Sequence, residues 1–255
     1  MGSLSEIITE RSGRILGVAF NRPAKKNAMT MSMYVAFADV LNDADTDEDI
    51  RVVLVHGTGD SFTAGNDLGD FLKNPPGPGD SPQQRLIEAL INFDKPLVAA
   101  VHGAAVGSGT TMLTHFDFIY AGESAKFQMP FVNLALVPEF GASYSVPAQL
   151  GYLAAAELIL LGSPFDAKRA LELGFVTRVV PDQAVLATAR ETAEKLAQKP
   201  AGALVASKKL LKRSFREQLA AAAKAESEEF TSRVRSAEAK EAFTAFFDKH
   251  RSETR

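Results

Sequence analysis

The 255-residue sequence contains no cysteine and no tryptophan. Without cysteine there is no disulfide framework, no thiolate nucleophile and no thiolate metal site. Histidine is scarce: His56, His102, His115 and His250 are the only four. Their spacings match no metal-ligand pattern, and no H-E-x-x-H occurs. No apolar run approaches the ~18 residues of a membrane span. The first residues lack the charged-then-apolar order of a secretory leader. Charge of one sign is also missing, since 28 Lys and Arg stand against 31 Asp and Glu, a net −3. That balance argues against a general nucleic-acid binder. The densest basic stretch, KKLLKRSFR at 208–216, is interrupted by Leu210, Leu211 and Phe215 and reads as an amphipathic helix. The expectation is a soluble cytoplasmic protein with no membrane and no nucleic acid as partner.

What is present suits one large domain, or a core with a small appendage, because 46% of the residues are apolar. Residues 7–10 and 15–20 read as a hairpin turning at Ser12-Gly13. Thr30 can cap a helix running to about Asp43, with Tyr34, Phe37, Val40 and Leu41 at helical spacing. Residues 52–55 and 97–101 are short continuous apolar runs, as expected of strands covered on both faces. Residues 74–82, NPPGPGDSP, are too rich in Pro and Gly for regular structure and read as a loop. After Gly141 helical patterns dominate, at 142–150, 153–161, 166–173, 182–198, 202–214 and 219–247, the last continuous or broken, with one further strand at 177–180. Alternating strand and helix followed by helices alone predicts an α/β core with a helical C-terminal part, divided near Lys199-Pro200.

Two stretches share one plan. SFTAGNDLGDF at 61–71 and LVAAVHGAAVGSGTTMLTHFD at 97–117 each read as buried strand, small-residue loop and helix start. Small residues let a ligand approach the main chain, and an N–H at a helix start has no intrahelical partner. One such N–H from each loop, Ala64 and Ser108, predicts an oxyanion hole. The competing reading is that the glycines only permit close helix packing. A nucleotide fingerprint is excluded, because Met112 stands at the third glycine of G-x-G-x-x-G and no P-loop lysine follows. Val106 likewise breaks G-x-S-x-G around Ser108. Asp67 most simply caps the helix that follows it. Glu139 lies in the apolar LALVPEFGAS at 134–143. On composition alone two readings stand: an exposed glutamate at a helix N-terminus, or a desolvated carboxyl with a raised pKa suited to proton transfer.

NRPAKKNAM at 21–29, FTAGNDL at 62–68, KPLVAAVHGAAVGSG at 95–109 and FVNLALVPEFGAS at 131–143 occur in an order that resembles the crotonase (enoyl-CoA hydratase/isomerase) superfamily. The likeness spans essentially the whole chain. It implies an α/β fold, a crotonase-like ββα spiral core (1–199) with a C-terminal helical region (200–255), in a homotrimer or hexamer. It implies an acyl-CoA thioester as substrate, with no metal and no organic cofactor. Ala64 and Ser108 match the two oxyanion donors, and Gly65 and Gly107 flank them. Hydratases of the family carry two glutamates where this chain has Thr111 and Phe131, which argues against ordinary hydration. The 131–143 block is instead similar to the peroxisomal-type Δ3,Δ2-enoyl-CoA isomerases, whose single catalytic glutamate is matched by Glu139. With that likeness the balance for Glu139 tips to the catalytic reading. Lys25, Lys26 and Ala28 match the region that holds the CoA nucleotide, and Asn66, Asp67 and Leu68 the pantetheine side. Phe131 and Leu134, with Leu136, suit a water-excluding acyl site.

Overall fold

A computed structural model describes residues 5–73 and 81–253. The chain runs β1 (Ile7–Ser12), β2 (Ile15–Phe20), α1 (Met31–Thr46), β3 (Val52–Gly57), α2 (Leu68–Lys73), α3 (Pro82–Asn92), β4 (Leu97–Val101), β5 (Ala104–Val106) and α4 (Ser108–Thr111). It continues with β6 (Phe118–Gly122), β7 (Lys126–Gln128), α5 (Ala142–Leu150), α6 (Tyr152–Leu160), β8 (Phe165–Asp166) and α7 (Ala167–Glu172). The last elements are β9 (Arg178–Val180), α8 (Val185–Ala197), α9 (Ala201–Lys212), α10 (Arg216–Arg233) and α11 (Ala237–Glu253). Most of the proline-rich 74–82 segment lies outside the described residues. Its last two residues start α3, where Ser81 Oγ accepts from Gln84 N–H at 3.1 Å and Pro82 takes the first helical position.

A six-stranded sheet has the order β1-β2-β3-β4-β6-β9, with β1 antiparallel to β2 and the other pairs parallel. A three-stranded sheet, β5-β7-β8, lies beside it. Strand alternation explains why β3 and β4 are apolar throughout. Val53 and Val55 point into the main core with Leu97, Ala99 and Val101, whereas Val52, Leu54, Val98 and Ala100 meet α8 on the opposite face. On the main-core side, α1 and α3 pack together, and Phe20 meets Phe37 and Phe62 edge-on at 5.4 Å. Thr30 caps α1 as expected, accepting from Met33 N–H at 3.3 Å. This is the ββα spiral architecture expected from the sequence.

Several details differ from expectation. β5 and β8 were not anticipated, being too short to carry a periodic signal. The helix expected over 108–115 is α4 followed by a tighter 3-10 turn over Met112–His115. The long terminal helix breaks at 234–236, where Ser236 Oγ accepts from Ala239 N–H and restarts it as α11. The basic stretch 208–216 falls at the end of α9 and the start of α10, and its α9 part is amphipathic in an inverted sense. Leu210 and Leu211 are exposed, while Lys208 and Lys212 are buried. Lys208 Nζ donates to Asp117 Oδ2 and Lys95 O, and Lys212 Nζ donates to Leu90 O and Ile91 O at the end of α3. Orphan carbonyls at a helix C-terminus draw a cation inward. Among the described residues, no helix is long and apolar enough to cross a membrane.

Gly103 sets how closely the first loop meets the second. Its φ is +57°, and a Cβ there would lie 1.9 Å from Asp60 O. Gly103→Ala is therefore expected to destabilise the fold by about 2–3 kcal/mol, read as a lower urea midpoint with an unchanged slope.

Candidate active site

The two small-residue loops are stitched together by main-chain bonds. Thr63 N–H donates to Ala104 O at 3.0 Å, and Val106 N–H returns to Thr63 O at 3.1 Å. Gly65 allows the approach: its φ is +81°, and a Cβ would lie 2.3 Å from Val106 O. Beyond this seam opens a cavity of about 480 Å³. Lys25, Ala28, Ala64, Asn66, Asp67, Leu68, Gly107, Ser108, Phe131 and Leu134 line it, so the structure brings these expected residues together. Leu136, Phe230, Phe246 and Phe247 complete much of its apolar wall. Gly65 lies beneath the seam rather than on the wall. Exposed Lys26 also stays off the wall and offers its carbonyl to Ala64 instead.

That last contact corrects the expected oxyanion pair. Ala64 N–H donates to Lys26 O at 2.8 Å and has no proton to spare for a ligand. The next residues pair with Met29: Met29 N–H donates to Gly65 O at 2.7 Å, and Asp67 N–H donates to Met29 O at 2.9 Å. In a parallel bridge the flanking residues make both bonds, so the N–H of the residue between them faces away. That residue is Asn66. Among the described residues, Asn66 N–H and Ser108 N–H have no acceptor, and both residues line the cavity. The available pair of main-chain donors is thus Asn66 and Ser108.

Glu139 is 4% exposed and stands behind this wall. Among the described residues it does not line the 480 Å³ cavity; Asn66 and Phe230 lie between. Asn66 Nδ2–H donates to Glu139 Oε1 at 3.3 Å, and Gln83 Nε2–H donates to Oε2. Burial pushes the Glu139 carboxyl up to about 8, with the nearby Glu226 carboxylate adding to the rise and the two amides opposing it. The exposed-glutamate reading is excluded by this burial.

The turn that carries Glu139 is held from other elements. Phe140 and Gly141 both have positive φ, +65° and +70°. His115 Nε2–H donates to Phe140 O at 2.8 Å, and burial lowers the His115 imidazole to about 4, so it stays neutral. Glu226 of α10 accepts from Gly141 N–H at 2.7 Å and from Ser143 N–H at 2.6 Å, capping α5. Asp67 does cap α2, accepting from Gly69 N–H and Asp70 N–H. Partial burial raises it, but the Asp70 N–H and the Arg22 guanidinium more than offset that, and it titrates below the usual carboxylate range. At the two positions that the resemblance matches to a hydratase's glutamates, Thr111 Oγ donates to Gly107 O and Phe131 is buried and apolar.

Sequence reasoning missed Tyr34, Gln83, Glu226 and Phe230. Tyr34 carried only a core-spacing signal. Glu226 belongs to a polar helix in which no residue stands out.

A family model described as Enoyl-CoA hydratase/isomerase matches residues 10–254. Over 219 residues the chain is 35% identical to "Enoyl-CoA delta isomerase 2" of Rattus norvegicus, covering 84% of this chain and 56% of that protein. The chain thus spans little more than half of that relative's length. Over 247 residues it is 32% identical to "2,3-dehydroadipyl-CoA hydratase" of Escherichia coli K12, covering 96% of this chain and 97% of that one. A crystal structure of an enoyl-CoA hydratase/isomerase from Pseudoalteromonas atlantica T6c superposes with a TM-score of 0.93 at 38% identity, covering 96% of this chain and 98% of the other.

The raised carboxyl has a consequence for stability. Folded Glu139 keeps its proton up to about pH 8, whereas an unfolded glutamate loses it near 4.5. Between those values rising pH favours the unfolded chain, by at most about 1.4 kcal/mol per pH unit. Glu139→Gln removes that dependence. Its stability relative to the wild type should climb from pH 4.5 to 8 and level off above, in urea unfolding measured across that range.

Proposed function

The chain belongs to the enoyl-CoA hydratase/isomerase family, and from that membership we propose that it converts 3-enoyl-CoA thioesters to the conjugated 2-trans-enoyl-CoA. The observation that carries this reading is the buried Glu139 carboxyl, hydrogen-bonded to the same asparagine that lines the cavity. The thioester oxygen takes hydrogen bonds from Asn66 N–H and Ser108 N–H. Phe230 turns aside as the acyl chain enters, and the Glu139 carboxylate removes a proton from C2. The C–H electron pair becomes the C1–C2 bond of a dienolate, and the carbonyl pair moves onto oxygen between the two donors. When that pair returns, C2–C3 becomes the double bond and C4 takes the proton back from Glu139. The sum is mass-neutral and uses no added water, metal or organic cofactor.

Loss of one oxyanion donor typically costs ~2.7–4 kcal/mol of barrier, so two fixed N–H groups are a large part of the rate. Phe131, Leu134 and Leu136 supply an apolar wall for the acyl chain. Lys25, exposed at the wall, is the better placed of the two lysines for a CoA phosphate. Hydration is a second reading, favoured by the near full-length likeness to the dehydroadipyl-CoA hydratase. Against it stand Thr111 and Phe131, neither of which can accept a proton from a water. An acyl-CoA-binding scaffold without turnover is the non-enzymatic alternative.

The homotrimer or hexamer implied by the family finds support in α6. Leu153 and Leu160 are seven residues apart on one stripe and are 84% and 61% exposed, beside Leu161 at 64%. We propose that this face packs against another copy of the chain. Leu153→Lys with Leu160→Lys should then lower the mass measured by light scattering to that of one chain.

With 3-enoyl-CoA, the wild type should form the conjugated product without a change in mass. Its rate at low substrate should rise with pH up to about 8, as Glu139 ionises. Glu139→Gln should lose about 10²–10⁴-fold in kcat. Addition of water that survives the substitution would establish the hydratase instead. Tight CoA-ester binding without either reaction would establish the scaffold.

A further inference from the structure

Tyr34 is fully buried in α1, and its hydroxyl reaches both cavity loops. The oxygen lies 2.6 Å from Asn66 Oδ1 and 2.9 Å from Ser108 Oγ. One phenol carries one proton. Asn66 Nδ2–H donates to Glu139 Oε1, which leaves Oδ1, an acceptor, facing Tyr34. Tyr34 O–H therefore donates to Asn66 Oδ1, and Ser108 O–H donates to the Tyr34 oxygen. A directed chain of hydrogen bonds results, running from Ser108 through Tyr34 and Asn66 to Glu139. It joins the residues of both main-chain donors to the carboxyl that takes the proton. Phenylalanine would fill the same volume, so packing does not account for the hydroxyl.

We infer that Tyr34 is a positioning residue, whose hydroxyl fixes the Asn66 carboxamide so that its N–H, and not its carbonyl, faces Glu139. The inference rests on the reading of Glu139 as the proton carrier. With Oδ1 engaged by Tyr34, Asn66 can only donate to Glu139, which favours the carboxylate that acts as base. Without that hydroxyl the amide can turn over and accept the proton of a neutral Glu139. The neutral acid is then favoured. Of the other groups facing Glu139, Gln83 also meets the Tyr34 hydroxyl, and the Asn66→Ala background separates its effect from that of Asn66. Gln83 of α3 is neutral, and Glu226 of α10 keeps its main-chain partners. His115 reaches only the neighbouring Phe140 carbonyl, and its ring is neutral.

The test is Tyr34→Phe. Protein labelled with carboxyl carbon-13 glutamate is titrated by NMR without substrate, the Glu139 resonance being identified by its loss in Glu139→Gln. Tyr34→Phe should raise the Glu139 midpoint by about half a unit to one unit. In turnover, the acid limb of the kcat profile should move up by the same amount, and kcat at pH 7 should fall about three- to tenfold with KM little changed. In an Asn66→Ala background, which itself raises the midpoint, Tyr34→Phe should add nothing. Should Tyr34→Phe fail to fold, Asn66→Ala and Ser108→Ala interrogate the same chain, and no shift in either overturns the inference. An unshifted Glu139 in folded Tyr34→Phe also overturns it, as does a shift that persists without the Asn66 side chain. Absence of 3-enoyl-CoA turnover by the wild type would sink the isomerase reading alone, since the substrate-free titration still decides the role of Tyr34.

Discussion

A carboxyl at 4% exposure has exchanged its water for whatever the protein supplies, and here two separate parts of the chain supply it. Asn66 from the first loop and Gln83 from α3 hold the two oxygens. The main chain beneath is bent through positive φ at Phe140, a conformation a bulky residue seldom adopts. His115 pins its carbonyl, and Glu226 takes the N–H groups that follow. Each restraint comes from a different distance along the sequence. The small-residue seam, α3, the 3-10 turn and α10 must all be in register before Glu139 points where it does. The site is therefore a property of the assembled fold, and α10 belongs to it although no residue of that helix was a candidate from sequence.

The strands and helices were legible because their signals are local. β3 and β4 are continuous apolar runs, and the structure shows core on both faces of each. Thr30 marks a helix start whose chemistry is written within four residues. β5, a three-residue strand in a small-residue loop, has no period to read. The 208–216 stretch shows the opposite failure. Its alternation of Lys and Leu is real, yet Lys208 and Lys212 face inward, Lys208 to Asp117 and Lys212 to orphan carbonyls at the buried end of α3 that need donors. A hydrophobicity pattern gives the period of a helix but not the demand made by a distant helix end.

The donor pair shows where local reading stops. Both loops were found, and Ser108 keeps an N–H without an acceptor. In the first loop the available N–H belongs to Asn66, two residues beyond Ala64. What separates the two is a bond from Ala64 to Lys26, thirty-eight positions earlier. Lys26 offers that carbonyl because it and Asn27 adopt left-handed conformations in succession, with φ of +48° and +55°. Neither residue type announces this. The buried Asn27 side chain stabilises it instead, with Oδ1 accepting from Arg22 N–H and Nδ2 donating to Thr58 O and Ser61 O. Spacing can locate a loop that offers its main chain, but only the tertiary partners reveal which amide is left over.

Glu139 and Glu226 show how one fold holds two neighbouring carboxyls in different roles. Burial raises both. Glu226 accepts from the first main-chain N–H groups of α5, where the helix dipole also favours negative charge. Among the described residues, Glu139 has two side-chain amides and no helix end. A nearby negative charge disfavours a second ionisation, and Glu139, without main-chain donors, is the carboxyl that keeps its proton. That assignment leaves Glu226 as fixed structure and Glu139 as the group whose protonation state can change near neutral pH. A base that both takes and returns a proton works best when its two states lie close in energy. A lone glutamate in ordinary solvent would hold its proton too weakly for the return step. Burial supplies most of the correction and the helix-capping Glu226 adds to it, so α10 contributes to the raised carboxyl together with the turn that carries it.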